Sequence, residues 1–105
     1  MDHNALTERQ SWLADAVIGV VDHHEDSGTF TRARLRIVEP AVGSCAALVG
    51  KLLGESEAGR ALLQVSTVRS LLSAPLLLDT GLFATKFSGK ARPSRTSLCG
   101  FGPLL

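Results

Sequence analysis

The run Ala16-Val17-Ile18-Gly19-Val20-Val21, followed at once by Asp22-His23-His24-Glu25-Asp26, constrains this chain more than any other feature. The apolar stretch is short and mostly β-branched, which predicts a strand over Asp15 to Val21, buried on both faces of a parallel sheet. Five consecutive side chains able to bind a metal or move protons then stand where that strand ends. In open parallel sheets the ligand crevice lies outside the carboxyl ends of the strands, so the topology turns this cluster toward a pocket.

The rest of the chain supplies the partners such a strand needs. His23 to Thr31 is polar, with Asp26-Ser27-Gly28 as a turn signal, and reads as a loop. Arg34 to Glu39 alternates, with Leu35 and Ile37 on one side and Arg34 and Arg36 on a wetter one, and Pro40 and Gly43 close it. From Ser44 the spacing of Cys45, Leu48, Val49, Leu52 and Leu53 is that of a helix with one buried stripe, capped by Ser44 and ended by Gly54. A second helical pattern starts near Glu57 and carries Leu62, Val65, Val68, Leu72 and Leu76, with Pro75 expected to kink or divide it. Thr7 followed by Gln10 offers a capping box for a short helix bearing Trp12 and Leu13.

Composition narrows the function classes. The 105 residues are enough for one small domain, and an apolar content of 45% is that of a globular chain. Eleven Lys and Arg against ten Asp and Glu give no cationic surplus of the kind that marks a binder of nucleic acid or of an anionic membrane. Residues 81–105 carry Lys86, Lys90, Arg92 and Arg95 and no acid, so the first eighty, with seven bases against ten acids, sum to −3. An acidic body that handles an anionic substrate needs bound cations. Cys45 and Cys99 are too few for a disulfide framework, and no apolar run reaches the roughly 18 residues of a membrane span. A reduced, cytoplasmic setting is the corresponding expectation.

Each candidate residue has two readings. Of the adjacent histidines, one can coordinate a metal while the other meets substrate, with Asp22 orienting a ring from behind; a solvated loop pair is the plain alternative. Asp79 closes the apolar run Leu76-Leu77-Leu78, so it is either exposed at a helix end or held by a cation. Gly43-Ser44 at a strand-to-helix junction is an ordinary cap or a phosphate site. Arg32, Arg34 and Arg36 form a solvated strand face or face a polyanion.

Taken together and in order, Asp2-His3-Asn4, Val21-Asp22-His23-His24, Gly43-Ser44-Cys45 and Leu76-Leu77-Leu78-Asp79-Thr80 resemble the DHH phosphoesterases. The longer stretches VVDHHEDSGTF, ARLRIVEP, GSCAALV and APLLLDTGL look like the fungal exopolyphosphatases, with the manganese-dependent inorganic pyrophosphatases second. The resemblance implies an α/β, partial Rossmann-like DHH domain with a mostly parallel sheet over residues 1–83. It also implies a hydrolase acting on inorganic polyphosphate or pyrophosphate with two divalent cations, Mn²⁺ or Mg²⁺, which activate a water for in-line attack.

Carried onto this chain, the resemblance makes Asp2 the carboxylate shared by both cations and His23 and Asp79 ligands of one of them. His24 would meet the phosphate, Asp22 would orient His23, and Gly43 and Ser44 would bind phosphoryl oxygens. It further implies that the family's first strand, with its own metal ligands, and its C-terminal partner domain are missing. Residues 84–105 would be an unstructured or unrelated tail, and turnover by this chain alone would be low. A non-catalytic relative that binds metal, and a phosphodiesterase acting on nucleotides, are the competing readings.

Overall fold

The computed structural model describes residues 1–81. The expectations for residues 82–105, the tail and Cys99 among them, lie outside the described residues.

The strand foreseen at Asp15 to Val21 forms later and shorter, as β1, Gly19–Asp22. A 3₁₀ helix over Glu8–Ala16 takes Asp15 and Ala16 from the foreseen strand. Gln10 Oε1 accepts from both the Thr7 N–H (3.3 Å) and the Thr7 hydroxyl (3.1 Å), which starts the helix, and the Val17 N–H closes onto the Ala14 carbonyl at its end. Asp15 and Ala16 are therefore helical, and Ile18 is exposed rather than buried in a sheet. No residue of this 3₁₀ helix is buried, and Trp12 is 78% exposed.

β1 pairs in parallel with β2, Leu35–Val38, in the register Gly19 with Leu35 through Asp22 with Val38. Glu39 N–H adds a further bond to the Asp22 carbonyl at 3.0 Å. The connection, residues 23–34, is about the dozen residues a parallel crossover needs, and it contains no helix. Val20 and Val21, which alternate in direction along β1, are both 4% exposed, so this short segment is covered on both faces as the run implied. Among the described residues the sheet has these two strands.

Three helices follow: α1, Cys45–Gly54; α2, Glu57–Gln64; and α3, Ser66–Asp79. α1 forms where the sequence places it, with Ser44 Oγ accepting from the Ala46 N–H. Its Cys45 and Leu48 pack on Val21, and half-buried Ile37, Val42 and Val49 complete that cluster. α2 approaches so closely that a Cβ on Gly59 would stand 2.0 Å from the Leu53 carbonyl oxygen. A glycine is therefore required at the crossing.

The second apolar pattern breaks at Val65, not at Pro75. Val65 is extended (φ −74°, ψ 120°), and α2 and α3 meet at 87°. Arg69 explains the break: its Nη1 donates to the carbonyls of Leu63 (3.2 Å) and Gln64 (2.8 Å), which the end of α2 leaves without partners. Because of the turn, Leu63 (3% exposed) is the buried apolar side chain of α2, while Leu62 and Val65 face solvent. Pro75 sits inside α3 on a face where Leu71 and Leu78 are exposed, so the carbonyl deprived of its donor lies on the solvent side. No single helix among the described residues is long and apolar enough to cross a membrane.

Candidate metal centre

Asp22 is the last residue of β1 and is wholly buried. Its Oδ1 accepts from the His23 N–H (2.7 Å), the His24 N–H (3.2 Å) and His24 Nδ1 (2.7 Å); its Oδ2 accepts from Asn4 Nδ2. Burial by itself would raise the carboxyl pKa. The hydrogen bonds from the His24 ring, from Asn4 and from the two backbone N–H groups outweigh it and lower the pKa from 3.8 to about 2. The strand end thus holds a fixed negative charge across the physiological range.

That charge decides the chemistry of His24. An ionised carboxylate only accepts, so His24 Nδ1 carries hydrogen and Nε2 is the ring nitrogen left over. The His24 side chain is 58% exposed. His23 is buried and ordered differently: its Nδ1 lies 3.2 Å from the Val42 carbonyl, which also only accepts. His23 Nε2 is thereby aimed at Asp2 Oδ1, 3.2 Å away. The ring that Asp22 contacts is His24's, whereas it meets His23 through the backbone N–H and the His23 ring is held by Val42. The two rings lie 4.4 Å apart, tilted by 56°.

Asp2 reaches the site through a left-handed backbone (φ 64°), its N–H bonded to the Val21 carbonyl at 2.9 Å. One ligand atom each from Asp2, His23 and His24 lies within 4.8 Å of the others. The donor set fits a divalent cation. Two donors bound to one ion at about 2.1 Å and near a right angle stand roughly 3 Å apart, the spacing that Asp2 Oδ1 and His23 Nε2 hold.

Asn4 is the residue of the site that the sequence left without a role. It is buried, and its amide bonds Asp22 Oδ2, the Glu25 carbonyl (3.0 Å) and the Ser27 N–H (2.7 Å). The only hint was its place beside Asp2 in Asp2-His3-Asn4.

Gly43 and Ser44 are both buried. The Ser44 hydroxyl, while capping α1, donates to Asp79 Oδ2 at 2.6 Å. Asp79, exposed at the end of α3, is therefore held by Ser44, outside the group formed by Asp2, His23 and His24. Arg36 is committed to Asp26 through both terminal nitrogens and to the Thr29 carbonyl through Nε. This pairing holds the Asp26 carboxyl below its ordinary pKa and raises that of the guanidinium.

No family model matches the chain. No solved structure matches it. Among curated proteins it is similar to one of Schizosaccharomyces pombe named "Putative exopolyphosphatase", 30% identical over 89 residues that cover 77% of this chain. The chain spans 23% of that relative's length. It is thus a small α/β chain with a two-stranded parallel sheet, distantly similar to a protein of that name, with an Asp and His cluster able to hold a metal ion.

Proposed function

We propose that this chain carries part of the metal-dependent active site of a DHH-type phosphoanhydride hydrolase that releases phosphate from inorganic polyphosphate. The observation that carries the reading is the convergence of Asp2, His23 and His24 just beyond the buried end of β1. The similarity to the fission-yeast protein supports polyphosphate as the substrate, with pyrophosphate as the closest alternative.

Asp2 Oδ1 and His23 Nε2 would hold the cation, Mn²⁺ or Mg²⁺. Once bound, such an ion neutralises phosphate charge and lowers the pKa of an adjacent water. Val42 keeps His23 Nε2 pointed at Asp2. His24, with hydrogen fixed on Nδ1 by Asp22, turns Nε2 to the solvent side, where a phosphoryl oxygen arrives. That Nε2 would meet the phosphate through a hydrogen shared between it and a phosphoryl oxygen. A bound cation makes a basic patch unnecessary, in keeping with the acidic balance of the first eighty residues.

The test is phosphate release from long-chain polyphosphate, pyrophosphate and a cyclic dinucleotide with Mn²⁺. Slow, Mn²⁺-dependent release from polyphosphate that His23→Ala abolishes is expected. Cleavage of the dinucleotide without release from polyphosphate would overturn the reading. A second reading, a metal-binding relative without turnover, is favoured by the single cluster able to hold a metal among the described residues. It predicts Mn²⁺ binding with no release from any of the three.

A further inference from the structure

Asn4 is 5% exposed, and every donor and acceptor of its amide is engaged. One Nδ2 hydrogen goes to Asp22 Oδ2 and the other to the Glu25 carbonyl, while Oδ1 takes the Ser27 N–H. The Asn4 main-chain carbonyl accepts from the hydroxyls of Ser27 (2.9 Å) and Thr29 (2.5 Å). All five bonds land on the segment from Asp22 to Thr29, which carries both histidines.

Two consequences meet at this side chain. First, the Asp22 carboxylate can present Oδ1 to three N–H groups only if its plane is fixed, and Asn4 is the partner that Oδ2 has for fixing it. Second, Asp2 and His23 come from distant parts of the chain, and Asn4 stands two residues from Asp2. The bonds that orient Asp22 therefore also fasten the Asp2 segment to the histidine loop. A carboxamide suits both tasks: it donates and accepts at once, and it adds no charge beside two carboxylates.

We infer that Asn4 is the positioning residue of the candidate metal centre, locking Asp22 so that His24 keeps hydrogen on Nδ1 and Nε2 free, and docking Asp2 against His23. Its effect on metal affinity rests on the metal reading above. Its effect on the His24 tautomer does not.

The experiment uses the full 105-residue chain. Long-range ¹H–¹⁵N spectra of the imidazole nitrogens, recorded without metal, report the tautomer, and a titration with Mn²⁺ alone reports affinity. The wild type is expected to show His24 with hydrogen on Nδ1. Asn4→Asp keeps the shape but removes the donor, and should mix the two His24 tautomers and weaken Mn²⁺ binding roughly 10- to 100-fold. Adding Asp22→Asn to Asn4→Asp exchanges the amide and the carboxylate, and should restore the Nδ1–H form. Unchanged His24 signals in Asn4→Asp, or unchanged affinity beside a wild type that binds Mn²⁺, would overturn the inference. If the wild type binds no Mn²⁺, the metal reading fails and the tautomer comparison alone decides the role of Asn4. If Asn4→Asp does not fold, the exchanged double variant decides: a folded chain with His24 in the Nδ1–H form supports the inference, and one with mixed tautomers overturns it.

Discussion

Asp22 Oδ1 lies 2.7 Å from His24 Nδ1, and this contact joins the end of a buried strand to an exposed imidazole. It turns a backbone position into a chemical one. The strand places the carboxylate where water cannot reach it, and the carboxylate then settles which ring nitrogen His24 offers outward.

Removing that carboxylate should be costly. Asp22→Ala leaves one Asn4 Nδ2 hydrogen and the His23 N–H without their acceptor in the buried site. A loss of about 2–4 kcal/mol is expected, because groups left unpaired in the interior forfeit their full hydration. Urea unfolding of the variant against the wild type measures it.

The same group sets a pH dependence. The folded-state pKa of Asp22, about 2, lies below its value of 3.8 in a model peptide, so folding favours the ionised form. The stability it contributes is therefore complete above about pH 4 and is lost as pH falls through about 2. Asp26 is depressed by its bond to Arg36 and acts in the same sense. Denaturation midpoints at pH 5, 3 and 2 should fall with acid in Asp26→Asn and fall less in Asp22→Asn.

The crossing of α1 and α2 gives a sharp test of packing. In Gly59→Ala the new Cβ would meet the Leu53 carbonyl oxygen at 2.0 Å and its carbon at 2.7 Å, and backbone cannot step aside as a side chain can. The expected loss is about 1–3 kcal/mol. Gly54→Ala, with nothing within 4 Å of the new carbon, should instead be neutral or gain up to about 1 kcal/mol. Thermal unfolding of the two variants side by side separates a requirement for glycine from helix propensity.

Arg69 makes a comparable claim at the next corner. Arg69→Ala frees the carbonyls of Leu63 and Gln64, and a loss of about 1 kcal/mol is expected for partly exposed acceptors that water can rescue. Hydrogen exchange should quicken first at the start of α3, where Arg69 N–H bonds the Val65 carbonyl at 3.1 Å.

These contacts show why parts of the molecule were legible in the sequence and others were not. α1 could be read because its signals are local: Ser44 caps it, and Cys45 and Leu48 recur on one face. Val20 and Val21 could be read for the same reason, since two adjacent buried β-branched residues need cover on both sides. The break at Val65 could not, because it depends on an arginine four residues further on reaching back to the end of α2. A 3.6-residue pattern runs straight through such a corner and puts Leu62 in the core in place of Leu63. Pro75 was a true local signal, but the helix could keep it on its wet side.

The site divides along the same line. Asp22, His23 and His24 announced themselves as neighbours at a strand end. Their pairing with Asp2 across 21 residues came from the ordered motifs, and the geometry then gave His24, not His23, to Asp22. Asn4 is invisible to any local rule, since a lone asparagine near a terminus reads as solvated until its partners 18 to 25 residues away are known. Asp79 shows the reverse case. The sequence asked what an acid closing an apolar run was paired with, and the Ser44 hydroxyl answers.

Pulsed electron paramagnetic resonance of the chain loaded with Mn²⁺ reads which side chains hold the ion. Hyperfine coupling from imidazole nitrogen is expected, and it should disappear or weaken in His23→Ala, with Mn²⁺ binding reduced in Asp2→Ala. A bound Mn²⁺ with no nitrogen coupling, or with coupling that His23→Ala leaves unchanged, would contradict it.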